Sequence, residues 1–209
     1  ITDARMGIEK LSIAEINKLP VLFGERDIVK AVTLLPGIKT GGEGNGAFFV
    51  RGGGADQNLV LLDEVLIYNP THLLGFFSTF NSDALKNVTL YKGNMPAEFG
   101  GRLSSVMDVQ MRDGNNQDFG VSGGLGIIAS RLSVEGPLVK DKGSFLISGR
   151  RTYADLFLKL TSDSSLNKTI LNFWDFNAKA NYRINDKHRL FLSGYIGQDK
   201  LGLANSFGL

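Results

Sequence analysis

Few residues in this chain have the types and spacing for covalent chemistry. Asp63 and Glu64 are adjacent carboxylates, a pairing that could share acid and base work. Neighbours in a turn point in different directions, and no nucleophile or histidine is adjacent, so the pair reads as turn residues. Ser165 and Lys168 have the Ser-x-x-Lys spacing of acylated-serine enzymes, but no Ser-Asp-Asn follows and the stretch is a polar loop. The two histidines, His72 and His188, are far apart in sequence, and cysteine is absent. Neither a thiolate site nor a His-built metal centre is expected. Gly41 to Gly46 is a glycine-rich loop without the Gly-Lys-Ser/Thr ending of a phosphate cradle. No enzyme, no cofactor and no metal follow from these residues.

Composition narrows the partners. The formal charge of +2 over 209 residues, with no basic block, gives no footprint for nucleic acid. An apolar content of 43% is enough for a core, in one large or two small domains. No window approaches the roughly 20 consecutive apolar residues of a membrane-spanning helix. No signal peptide is present, and the chain begins at Ile1 rather than Met, as expected if an N-terminal segment has been removed.

The elements change character along the chain. Residues 1 to 11 carry no clear pattern. Ser12 and Glu15 have capping-box spacing at the start of a short helix that Pro20 should stop. A second helix is expected from Glu25 to Leu35, with Ile28, Val29, Val32 and Leu35 on its apolar face and Pro36-Gly37 ending it. Strands follow at Phe48 to Arg51, Leu59 to Leu62, Val65 to Tyr68, Val88 to Lys92 and Leu103 to Met111. Asp63-Glu64 turns between two of them. Leu73 to Phe80 is apolar enough for a short helix, and Ser82 could cap a turn running to Lys86. Glycine clusters at residues 52–54 and 100–101 punctuate this small mixed α/β unit.

From Phe119 the pattern becomes a long alternation. It is cleanest from Phe173 to Ile184, where Trp174, Phe176, Ala178, Ala180, Tyr182 and Ile184 share one parity. Asp175, Asn177, Lys179, Asn181 and Arg183 share the other. Alternation alone describes half-buried antiparallel strands, in a soluble sandwich as well as in a membrane barrel. Two details favour the barrel. Short polar turns at residues 139–143 and 185–187 alternate with a longer loop at 161–169. Trp174 and Tyr182 lie about 26 Å apart along an extended strand. Tilted by about 40°, that strand spans roughly 20 Å, close to the ~25 Å apolar band of such barrels, with Trp174, Phe176 and Tyr182 as lipid-interface aromatics. Tight turns on the periplasmic side give about five strands, the first hairpin turning near Ala129-Ser130. Five strands cannot close a membrane barrel, so the chain is expected to be the front of a longer one.

Three stretches now carry a resemblance: FFVRGGGADQNLVLLDEVLIYNP (48–70), DALKNVTLYKG (83–93) and AEFGGRLSSVMDVQMRDG (97–114). They resemble the plug domain of TonB-dependent outer-membrane receptors, and residues 119 to 202 resemble the first strands of the barrel that follows it. The combination is similar to receptors of the Bacteroidetes that carry a carboxypeptidase-like regulatory domain, and differs from the starch-utilisation (SusC-like) branch around the Arg-Gly motif. The resemblance implies an α+β plug domain at 1–114 and, from 115–209, antiparallel strands of a transmembrane β-barrel of about 22 strands in full. It implies a transporter in the bacterial outer membrane that binds a scarce nutrient and passes it inward with energy from the TonB-ExbB-ExbD complex. A surface lipoprotein is among the partners it allows. The TonB box is not found in Ile1 to Gly7 and is expected upstream. Arg51 and Arg102 would latch the plug to acids of the barrel wall, since a buried guanidinium is costly unless paired. The alternative is a local salt bridge with Asp56, Asp63, Glu64 or Glu98. Tyr68, Asn69 and His72, on a loop facing outward, would touch substrate. The rival readings are a non-transporting outer-membrane structural or assembly component, and a soluble β module behind an α/β domain.

Overall fold

The computed structural model describes residues 7–16, 18, 26–42, 45–153, 155–156, 159 and 169–202. Pro20, expected to stop the first helix, Glu25, expected to start the second, and most of the 161–169 loop lie outside them. The described residues form two compact units, the first ending at Arg112 and the second running on from Asp113.

The first unit is built on a five-stranded sheet of order β1-β8-β9-β4-β5. Its strands are β1 (Ile8–Ser12), β4 (Asn58–Leu62), β5 (Val65–Leu66), β8 (Leu85–Tyr91) and β9 (Ser105–Met111). Two small ladders accompany it: β2 (Ile38–Thr40) with β3 (Phe48–Val50), and β6 (Thr71–His72) with β7 (Phe77–Ser78). The β4 strand runs parallel to β9 and is buried along its whole length, as the apolar run Leu59 to Leu62 requires. Leu59, Leu61 and Val106 form one core cluster, with Leu66, Tyr91, Met95 and Phe99 packed against it. The strand's one polar side chain is satisfied: Asn58 Nδ2 donates to the Phe48 carbonyl at 2.7 Å, and its Oδ1 accepts from Ser105 Oγ at 2.7 Å.

Two helices accompany the sheet and its ladders. At α1 (Ile13–Ile16) the Ser12–Glu15 spacing makes its cap: Ser12 N–H and Oγ both donate to Glu15 Oε2 at 2.8 Å. The Ser12 N–H, then its hydroxyl, hold the Glu15 carboxyl below the ordinary glutamate value. Asp27 caps α2 (Ile28–Thr33) by accepting from Lys30 N–H at 2.9 Å. Ile28, Val29, Ala31 and Val32 are buried where α2 meets β2 and β7.

Several elements differ from expectation. β1 occupies residues that carried no pattern, and it pairs antiparallel with β8, Ile8 opposite Tyr91. Leu73 to Phe80 is not a helix. Leu73 and Leu74 have positive φ, Gly75 has φ +99°, and a single 3₁₀ turn joins β6 to β7. A Cβ at Gly75 would lie 2.2 Å from the Gly46 nitrogen, so this backbone approach admits only glycine. The turn at residues 82–84 is capped by Asn81, whose Oδ1 accepts from Asp83 N–H at 3.1 Å, not by Ser82, and β8 begins before Lys86. Asp63 and Glu64 do turn the chain, both at positive φ.

The second unit is an antiparallel meander of five strands in sequence order. They are β10 (Gly120–Leu125), β11 (Ala129–Val139), β12 (Gly143–Thr152), β13 (Ile170–Asn185) and β14 (His188–Gly202). The first hairpin turns at residues 126–128, earlier than expected. Gly126 N–H donates to the Ala129 carbonyl at 2.8 Å, and Tyr153 Oη donates to the Gly126 and Ala129 carbonyls. Among the described residues no helix is long and apolar enough to cross a membrane.

Candidate functional site

Strand register sorts the second unit into two faces, because successive side chains point to opposite sides of a sheet. One face carries rows across the strands. Leu125, Ser130, Arg151, Trp174 and Gln198 form the first, and Gly123, Leu132, Gly149, Phe176 and Ile196 the second. Val121, Val134, Ile147, Ala178 and Gly194 follow. Tyr182, between Gly143 and Leu190, closes the set at the other end. Trp174, Phe176 and Tyr182 therefore share this face and are all partly exposed.

The opposite face is polar and tightly bonded. Arg150 lies opposite Asp175, its Nη2 2.5 Å and its Nε 2.8 Å from Oδ2, and both side chains are almost fully buried. The guanidinium also stacks 4.9 Å from the Phe173 ring centroid, a cation–π contact. One row further, Ser133 Oγ and Ser148 Oγ share a hydrogen bond of 2.7 Å. Near the short turns, Asp113 gathers three strands. Its carboxylate lies 3.2 Å from Lys179 Nζ and 3.4 Å from Arg189 Nη2. Its carbonyl accepts from Ser144 Oγ at 2.6 Å and Asn181 Nδ2 at 3.0 Å. Gly114, at φ +81°, follows immediately. A Cβ there would lie 2.3 Å from the Phe145 carbonyl oxygen, so glycine lets the chain lie flat on the strands.

In the first unit Arg51 is exposed and ends β3 in a left-handed turn, φ 49°, its N–H donating to the Gly37 carbonyl at 2.9 Å. Its guanidinium lies over Gly93, where an added Cβ would come 2.9 Å from Nη1, and near Gly7. Arg102 is exposed and donates to the Gly101 carbonyl at 3.2 Å. Among the described residues neither arginine makes an ion pair, so the local bridges to Asp56, Asp63, Glu64 and Glu98 are not formed. Asp63 instead accepts the Met111 N–H at 2.9 Å. Tyr68 and Asn69 are exposed, and Asn69 Oδ1 accepts from Thr71 N–H and Oγ1. His72 corrects the expectation of an outward-facing trio: it is buried in β6, opposite Phe77. Asp108, in β9, is also buried; desolvation raises its carboxyl above the ordinary value, the Gln110 hydrogen bond opposes this, and Asp63 adds to it.

Arg150, Asp175 and Asp113 were not singled out by the sequence. Their signal was there only as charge on the polar parity of neighbouring strands, which needs register to become a pair. Among the described residues no three His, Cys, Asp or Glu side chains gather to hold a metal.

Residues 10–106 match the family model of the TonB-dependent Receptor Plug Domain. No curated protein matches the sequence. Solved structures match over nearly the whole chain. The siderophore receptor PirA from Acinetobacter baumannii superposes with a TM-score of 0.67 at 20% identity, over 94% of this chain and 32% of that one. The outer membrane transporter YddB from Escherichia coli gives 0.67 at 15% identity, over 93% and 33%. The FrpB iron transporter from Neisseria meningitidis gives 0.59 at 21% identity, over 90% and 31%. The chain thus spans about a third of the length of the receptors it resembles. Residues 10–106 carry the plug-domain match, and the fold of the chain is that of a plug domain followed by antiparallel strands, as in the front third of those receptors.

Proposed function

We propose that this chain is the front of a TonB-dependent transporter that binds a scarce extracellular nutrient and passes it to the periplasm. The observation that carries the reading is the joining, in one chain, of a plug-domain sequence to a meander that is apolar on one face and polar on the other. Matching structures include a siderophore receptor, an iron transporter and a copper transporter, which makes metal complexes the first substrates to try. Fold likeness alone names no ligand. The TonB-ExbB-ExbD complex would supply the energy, and no covalent step is assigned to any residue.

Within this reading the plug covers 1–114 and the barrel begins at 115. The apolar face meets lipid, with Trp174, Phe176 and Tyr182 near its two interfaces. Arg51 and Arg102, unpaired within the described residues, latch to acids on barrel strands beyond this sequence. Tyr68 and Asn69 touch substrate, and buried His72 supports their loop. Placement with Bacteroidetes receptors outside the SusC-like branch rests on the quoted motifs, and a surface lipoprotein remains an optional partner.

The test uses cells expressing the full-length protein. Uptake of labelled ferric siderophores, copper, cobalamin, glycans and peptides is measured with the TonB complex intact, with it deleted and with a protonophore present. Energy-dependent uptake of one ligand is expected. A folded outer-membrane protein that takes up none of them, under conditions where a known receptor does, would leave the structural or assembly role as the reading.

A further inference from the structure

We infer that the apolar face of the second unit holds a defined site for one anionic lipid, its phosphate on Arg151 and an acyl chain in the groove beside it. The inference rests on the reading that this face meets lipid.

The groove is open and measures about 790 Å³. Gly149 forms its floor, Leu132 and Phe176 flank it in the same row, and Ser130, Arg151 and Trp174 stand in the row at its end. Arg150 and Asp175 lie in the row between and turn their side chains to the other face, so that row offers backbone only. A groove with a glycine floor and ring and leucine walls suits an alkyl chain, which gains only by apolar contact.

Arg151 decides which lipid. In the rows running from Leu125–Ser130–Arg151–Trp174–Gln198 to Gly143–Tyr182–Leu190 it is the one charged side chain on this face. It is exposed, and among the described residues it makes neither an ion pair nor a side-chain hydrogen bond. Its row lies at the end of the strands where the longer 153–169 connection leaves β12, the extracellular end in barrels of this kind. A guanidinium there sits at headgroup depth and offers a planar fork of donors, which matches phosphate in two-point geometry. Ser130, directly opposite Arg151, adds a hydroxyl at the same level. Trp174, on the other side, supplies the ring expected at an interface. A zwitterionic headgroup would leave part of this charge opposed by its own cation.

The experiment uses the full-length protein, purified in detergent, stripped of native lipid and titrated with short-chain phosphatidylglycerol under native mass spectrometry. Phosphatidylcholine of the same chain length is the control. One phosphatidylglycerol should be retained with about tenfold preference, the scale of one charge-assisted contact. Arg151→Gln should abolish the preference. Gly149→Val should weaken retention of the anionic lipid by a similar factor by filling the groove. A Cβ at residue 149 meets only the Asp175 carbonyl and the Phe176 ring, each at 3.8 Å, so the strand accommodates it. Equal binding of the two lipids by the wild type would overturn the site. Retention by Gly149→Val at the wild-type level would do so too, reducing Arg151 to a general surface charge. Failure of the wild type to shift on heating in gel electrophoresis, as a folded barrel does, would strike instead at the membrane reading beneath it.

Discussion

Arg150 and Asp175 face each other across β12 and β13, bonded through both Nε and Nη2, with almost no solvent access to either. A pair this deep is expensive to break from one side, because the remaining charge has neither water nor partner. Either Arg150→Ala or Asp175→Ala should destabilise the second unit by about 3–5 kcal/mol. Replacing both with leucine and methionine of similar volume should cost much less. Urea unfolding of the full-length protein in detergent, followed by tryptophan fluorescence, measures both. Equal losses for single and double variants would show that the ion pair is not what holds β12 to β13.

Asp108 makes the first unit sensitive to pH in a definite direction. Its carboxyl binds protons more tightly in the folded state than the ordinary value of 3.8, chiefly through burial. The folded state therefore holds more protons than the unfolded one above that value. Stability should fall as pH rises from 3.8 through the raised folded value, then level off. Asp108→Asn keeps an acceptor for Gln110 and should remove most of this fall, leaving the variant more stable than the wild type at neutral pH. Denaturation midpoints between pH 3.5 and 7 decide it. A variant less stable than the wild type at pH 7 would mean the ionised carboxylate is favoured.

Trp174→Asp should impair membrane assembly. It sets a second charge, and an anion, in the same row as Arg151 on the apolar face. Charged groups on that face of a barrel cost most near the midplane and up to about 1 kcal/mol near an interface, acids less than bases. The heat-modifiable fraction in outer membranes should fall, whereas Trp174→Phe should leave it unchanged. Normal assembly of Trp174→Asp would contradict the orientation of β13.

Arg51→Ala should raise passive leakage of small solutes. The proposed latch acts through a guanidinium that lies over Gly93 and pairs with nothing in the described residues. Liposome swelling with the full-length protein measures the leak. Arg51→Lys, which keeps charge but loses the fork geometry, should fall between wild type and alanine. Swelling rates identical for all three proteins would count against the latch.

What the sequence determined by itself was local. Period-two alternation from Phe119 onward specifies which side chains share a face, because the pleat fixes that order without reference to any partner. The Ser12–Glu15 cap and the Asp63–Glu64 turn were equally legible, each closing hydrogen bonds or dihedrals within a few residues. Tertiary structure decided whatever needed a distant partner. Ile8 to Ser12 became a strand because β8, some 80 residues on, offered an edge. Leu73 to Phe80 gave up a helix its apolar residues would allow, because Gly75 packs against the backbone of Gly46. His72 was buried by the same hairpin. The Arg150–Asp175 pair and the groove beneath Arg151 exist only at one register between strands joined by a long connection. A one-residue slip would send each side chain to the other face, and no single strand encodes which register is taken.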